Sequence, residues 1–192
     1  MSYHRLIEEA REKAYELHGK TTRKHYDIPY TIHIERVVGY VKAAMHQNRD
    51  LVGYEMECCD KVMIISAAYL HDTLEDTNYT YEEMFRDFNH DWGCFIPPLV
   101  KDLTNVEKSA GNRAARNKIN NARLDKAHKY VKIIKLADRL DNINDLIVSY
   151  FKGDITEKYF VMYMEETEEL LKYIKVDDCC LYKRLKDLVT KK

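Results

Sequence analysis

Ala67-Ala-Tyr-Leu-His-Asp-Thr-Leu-Glu-Asp-Thr77 decides how the rest of the chain is read. A small apolar run ends in His71-Asp72, and a second acidic pair, Glu75-Asp76, follows. Val62, Met63, Ile65, Ala67, Ala68 and Leu70 make the preceding segment apolar nearly all round. That predicts a helix over about 59–72, central in the fold. If it ran on to 76, Asp72, Glu75 and Asp76 would share one face, because residues three and four apart stack together. Three carboxylates and an imidazole so close repel one another unless a cation sits among them. An adjacent His-Asp pair can ligate one ion if the helix end lets both side chains turn inward. The stretch therefore reads as half of a divalent-metal site, with a buried hydrogen-bonded His-Asp pair as the plainer alternative.

Outward from this stretch the periodicity is helical almost everywhere. Leu6, Ile7, Ala10, Ala14 and Leu17 give a stripe over about 3–18. A polar loop carrying Lys20, Arg23 and Lys24 follows, and Pro29 disfavours helix at Ile28. Those cations are either phosphate contacts or solvated decoration. Thr31 is a candidate cap for a helix over about 32–47 with Ile34, Val37, Val38 and Val41 inward. His33 lies in its first turn, where a capping, a surface or a ligand role all fit. Residues 48–58 read as a connection. Thr80 with Glu82 and Glu83 opens a short helix to about 89, and Phe95 to Leu103 forms another. The window 104–118 is the most basic in the chain. Its Arg113, Arg116 and Lys118 are either anion contacts or part of a solvated face or mobile loop. Ala127 to Ser149 is a strong buried helix with one odd feature: Asp138 interrupts its apolar face. A buried aspartate needs a cation or metal beside it. Asn142 follows one turn on, and Asp141 reads as outward. Two last helices cover about 155–174 and 179–189. Their Tyr159, Phe160, Tyr163 and Tyr173 read as core or dimer surface rather than as a base-stacking platform.

The expectation is an all-α bundle of about eight to nine helices. One domain spans 1–192, with a motif-bearing core at about 5–150 and C-terminal helices at about 155–190. The net charge of −1 gives no overall sign of a nucleic-acid coat, so any basic patch is local, and no apolar run is long enough to span a bilayer. The first ten residues are charged and lack an apolar signal core, which points to the cytoplasm. The five cysteines show no CxxC spacing and read as reduced thiols.

His33, His71, Asp72 and Asp138 are then the candidate metal ligands. Two imidazoles and two carboxylates suit a first-row divalent ion with water in the remaining positions. In the order H…HD…D they resemble the signature of the HD superfamily of phosphohydrolases. The likeness narrows to the hydrolase domain of the RelA/SpoT family. Pro29-Tyr-Thr-Ile-His33 resembles its PYxxH, and His71-Asp-Thr-Leu-Glu-Asp76 its HDxxED. Val100-Lys-Asp-Leu-Thr104 resembles its V-x-x-[VL]-T, and Lys135-Leu-Ala-Asp-Arg-Leu-Asp-Asn142 its KLADRLxN. Arg23-Lys24 fits the RK that precedes PYxxH. The length is similar to the small stand-alone alarmone hydrolases, including the metazoan SpoT homologue type.

The resemblance implies Mn2+-dependent hydrolysis of guanosine tetra- or pentaphosphate, releasing pyrophosphate from the 3′ position, in stringent-response chemistry. Glu75 and Asp76 would orient the attacking water and move its proton, or one would only steady a ligand. Arg23, Lys24, Arg113 and Arg116 would neutralise the pyrophosphate. Asn142 would bind the nucleotide or orient the site. The partner is then a small phosphorylated nucleotide, with no nucleic acid and no membrane, and a homo-oligomer left open. Ile34, where the family has proline, and Asp141, where it has His or Tyr, depart from the pattern, as does the length of the loop before Pro29. Two rival readings remain: an HD phosphohydrolase for another phosphorylated nucleotide, and a non-catalytic nucleotide sensor.

Overall fold

The computed structural model describes residues 3–24, 28–47, 58–90 and 93–190; the connection expected at 48–58 falls almost wholly outside them. Ten α-helical segments follow in order: α1 (Tyr3–His18), α2 (Tyr30–Gln47), α3 (Cys58–Tyr69), α4 (Thr73–Asp76), α5 (Tyr81–Phe88), α6 (Ile96–Leu103), α7 (Arg113–Lys126), α8 (Lys129–Lys152), α9 (Glu157–Tyr173) and α10 (Cys180–Thr190). Setting aside the single turn α4, nine helices stand among the described residues. The fold is all-α, as the periodicity predicts.

Helices α3 and α8 carry the centre. Val62, Ile64, Ile65, Ala67, Ala68 and Leu70 are buried around α3, against α1, α2 and α6. The long α8 buries Val131, Ile133, Ile134, Leu136, Ala137, Leu140, Ile143 and Leu146. It packs on α2, α6, α9 and α10. Both helices are apolar enough to be enclosed, so any polar side chain they carry inside must be satisfied there. The C-terminal helices lie on this same core, with Met164, Leu170, Leu171, Leu181 and Leu185 buried in it.

Local signals set the ends. Thr80 and Glu83 form a reciprocal capping box at the start of α5. Asn112 caps α7 through Ala115 N–H, and Gly153, at φ 79°, closes α8 in the left-handed conformation that glycine adopts without strain. Arg113, Arg116 and Lys118 therefore stand on a true helix.

One expected element is different. The segment from 60 to 76 is not one helix. It breaks at Leu70–Asp72 and restarts as α4. The His71 side chain bonds back to Ala68 C=O at 2.8 Å, and the Thr73 hydroxyl to Leu70 C=O at 2.7 Å. Side chains that take backbone partners in this way compete with the helix ladder. The break has a use. On an unbroken helix His71 and Asp72 would point about 100° apart. Here His71 Nε2 and Asp72 Oδ2 converge to 2.9 Å.

Candidate metal centre

Four side chains meet where α2, the α3–α4 break and α8 come together. His33 comes from the first turn of α2, His71 and Asp72 from the break, and Asp138 from the middle of α8. One donor atom from each lies within 4.8 Å of all the others. His33 Nε2 stands 3.3 Å from His71 Nε2, 3.5 Å from Asp72 Oδ2 and 3.6 Å from Asp138 Oδ1. His33, His71 and Asp138 are buried, and Asp72 nearly so.

The far side of each ring is tied. His71 Nδ1–H donates to Ala68 C=O, and His33 Nδ1–H donates to Asp141 Oδ2 at 2.7 Å. Each ring therefore turns its Nε2 toward the other, where a metal ion would take its lone pair. Two lone pairs and two carboxylate oxygens in one buried pocket fit a first-row divalent ion, which would satisfy all four. Lys135 Nζ bonds Asp138 Oδ2 at 3.0 Å, and Asn142 Nδ2 donates to Asp138 Oδ1 at 2.5 Å. Burial drives the Asp72 and Asp138 carboxyls upward, but His71 and His33 beside Asp72, and Lys135 beside Asp138, hold both below their ordinary value.

Asp141 corrects the sequence reading. It is fully buried, not outward. Asp138, Asp141, Asn142 and Asp145 follow i, i+3, i+4, i+7, one face of a helix, and that spacing was the available signal.

Glu75 and Asp76 lie beside the cluster at the mouth of a cleft of ≈ 340 Å³. Asn105, just past α6, holds Glu75 through its backbone and side-chain N–H at 3.1 and 2.9 Å. Asp76 has its carboxyl pushed up to about 6, first by burial and then by the charges of Asp72 and Glu75. The Tyr30 hydroxyl donates to Asp72 at 2.5 Å and to Asp76 at 3.2 Å. Lys108, Arg113, Arg116, Lys135 and Arg139 line the same cleft. Arg113 is held by Glu166 in a bidentate pair at 2.6 and 2.7 Å, and Arg116 by Gly111 C=O at 2.8 Å.

Arg23 stands elsewhere. It is nearly buried, donating to Asp145 at 2.9 Å and to Asn142 at 2.7 Å. With exposed Lys24, Tyr30, Asn142, Tyr159 and Tyr163 it lines a second cavity of ≈ 500 Å³ that adjoins the cleft through Tyr30, Asn142 and Tyr163. Tyr159 and Tyr163 pack against the core, as expected, and also line this cavity. Sequence reasoning also missed Tyr30, Asn105, Lys108, Lys135 and Arg139. Of these, Lys135 and Arg139 had a signal, since they flank Asp138 on a helix that is otherwise apolar.

An all-helical domain with a His-His-Asp-Asp centre drawn from three places in the chain is of the HD type. No family model matches the chain. A Drosophila melanogaster relative named guanosine-3′,5′-bis(diphosphate) 3′-pyrophosphohydrolase MESH1 is 35% identical over 107 residues, 54% of this chain and 56% of that protein. The protein of the same name from Xenopus tropicalis is 30% identical over 141 residues, 73% of this chain and 69% of its own length. A solved metazoan orthologue of SpoT, described as hydrolysing ppGpp, superposes with a TM-score of 0.75 at 21% identity, over 97% of this chain and 94% of that one. The chain belongs to the RelA/SpoT-like HD hydrolase family that contains these MESH1 proteins. It matches just over half the length of the fly relative. No described helix is long and apolar enough to cross a membrane.

Proposed function

We propose that this chain is a Mn2+-dependent guanosine-3′,5′-bis(diphosphate) 3′-pyrophosphohydrolase. One observation carries the reading: the four-ligand cluster opens directly onto a cation-lined cleft, and that cleft adjoins an aromatic cavity large enough for a nucleoside. Relatives bearing this name support it.

His33, His71, Asp72 and Asp138 would hold the ion. Bound there, a divalent ion acidifies a water and polarises a phosphoryl oxygen. Glu75, steadied by Asn105, orients the attacking water. Asp76, with a carboxyl near 6, is matched to take its proton close to neutral pH. Water's oxygen bonds to phosphorus, the bond from phosphorus to the 3′ oxygen breaks, and a proton passes to that oxygen. Lys135, Arg139, Arg113 and Arg116 spread positive charge along the cleft to meet the pyrophosphate. In the adjoining cavity Arg23 offers a fixed cationic plane beside Tyr159 and Tyr163, with Lys24 at the rim. Asn142 links the cavity to Asp138. The reading treats 1–192 as one domain and places it in the cytoplasm, where free nucleotides are found.

The test is turnover of guanosine tetraphosphate with Mn(II), following GDP and pyrophosphate, with Asp72→Ala as blank. Release that vanishes in the variant supports the reading. No release from protein shown to hold metal sinks it and directs the search to other phosphorylated nucleotides.

A further inference from the structure

The two histidines of the cluster are anchored by different means. His71 gives its Nδ1–H to a backbone carbonyl of its own turn. His33 gives its Nδ1–H to a carboxylate on another helix, 108 residues away in sequence. That carboxylate, Asp141, has no exposed surface. Its Oδ2 contacts His33 at 2.7 Å, while its Oδ1 has no hydrogen-bond partner. The nearest cation to Oδ1 is Arg36 Nη1, at 3.8 Å.

A buried carboxylate with one oxygen unsatisfied is costly to keep. For packing α2 against α8, a neutral side chain at this position would serve at lower cost. The two helices already pack together, and Val37, Val38 and Val41 on one and Leu140 and Ile143 on the other are buried. What a neutral apolar residue could not do is hold the His33 ring. Arg36 and Arg23 both grip Asp145, and Arg23 reaches Asn142, whose amide holds Asp138. His33 and Asp138 are thus joined by one network of ion pairs and hydrogen bonds.

We infer that Asp141 is a positioning residue for the metal centre: it locks His33 in the tautomer and orientation that present Nε2 to a divalent cation, and its charge strengthens that nitrogen as a donor. A carboxylate on the distal nitrogen of a ligating histidine fixes the ring and raises its basicity. The inference rests on His33 being a ligand, which is part of the proposed function. It adds that this chain has a second carboxylate acting through His33, one that never touches the ion.

Mn(II) affinity of wild type, Asp141→Asn, Asp141→Ala and His71→Ala would be measured by titration calorimetry. The His33 tautomer would be read by nitrogen-15 NMR of the metal-free proteins above pH 9, where the ring is neutral. Asp141→Ala should bind Mn(II) about 10–100-fold more weakly, with the His33 ring no longer held as the Nδ1–H tautomer. Asp141→Asn keeps an acceptor in nearly the same shape, so it should keep the tautomer yet still lose affinity, by less. It also keeps the question answerable if the alanine variant does not fold. Wild-type affinity and tautomer in Asp141→Asn and in any folded Asp141→Ala would overturn the inference and leave the metal centre standing. Wild-type affinity in His71→Ala, or no binding by wild type, would instead overturn the metal centre and the inference with it.

Discussion

The ligand cluster and the cation-lined cleft are neighbours built on opposite rules. In the cluster the groups are buried or nearly so, and each is held by a named partner: Ala68 for His71, Asp141 for His33, Tyr30 for Asp72, and Lys135 with Asn142 for Asp138. In the cleft the cations of α7 are half-exposed and rest on partners that a substrate can replace. Arg113 lies on Glu166, and Arg116 on a carbonyl of its own loop. Burial makes a misplaced charge expensive, so the cluster is preorganised. Solvent makes such pairs cheap to exchange, so the cleft can trade one anion for another. On the proposed function, rigidity is concentrated where the chemistry would take place, and adaptability where the phosphates would enter.

The sharpest way to separate the two is to remove charge from each in turn. Asp138→Ala should abolish both metal binding and turnover, because it leaves Lys135 and Asn142 facing an empty place. Glu75→Gln with Asp76→Asn should lower turnover by about 10²–10⁴-fold while metal binding stays near wild type. Calorimetry beside a rate assay distinguishes them, and full activity in the double variant would remove the acidic pair from the mechanism.

A smaller effect is expected across the cleft. Arg113→Ala should raise KM by about 10- to 100-fold with kcat little changed, the size of a lost hydrogen bond to a charged group. Glu166→Gln should do the reverse. It frees Arg113 from a competitor worth about 1 kcal/mol or less, so KM should fall by about fivefold at most. If both variants leave KM alone, the cleft is not where the phosphates bind.

The smallest effect concerns pH. In the metal-free protein Asp76 titrates at about 6 rather than at its ordinary 3.8. Between those values the folded chain holds a proton that the unfolded chain has lost, so this group's contribution to stability falls as pH rises and stays lost above the window. Asp76→Asn removes the penalty. It should stabilise the metal-free protein by about 1 kcal/mol at pH 7, since water screens the carboxyl's exposed side. At pH 4 the gain should vanish. Urea unfolding at the two pH values decides it, and equal gains at both would discount the raised carboxyl.

What could be read from the sequence follows the same division. Apolar periodicity announced the helices, and acids or imidazoles set on apolar stripes announced His33, His71, Asp72 and Asp138. The break after Tyr69 was hidden, because His71 and Thr73 end the helix through their own side chains while leaving the apolar pattern intact. Asp141 was misread because its charge suggested solvent, although its spacing from Asp138 and Asn142 placed it on the inner face. Arg113 and Arg116 could be found as charge only. Which anion an exposed cation leans on depends on α9, a helix distant in sequence, and Glu166 there carries no mark of its pairing.

Tyr30 ties the two regions together through simple arithmetic. A hydroxyl has a single hydrogen to give, and two carboxylates lie within its reach, Asp72 at 2.5 Å and Asp76 at 3.2 Å. Burial first, and then the charge of Asp72, keep the phenol protonated. Its ring is braced by His18, stacked 4.8 Å away, so the oxygen has little room to move. The hydrogen is therefore a shared resource. Whatever engages one of these acids alters what the other receives, and on the proposed function holding an ion and moving a proton would be two claims on the same hydrogen.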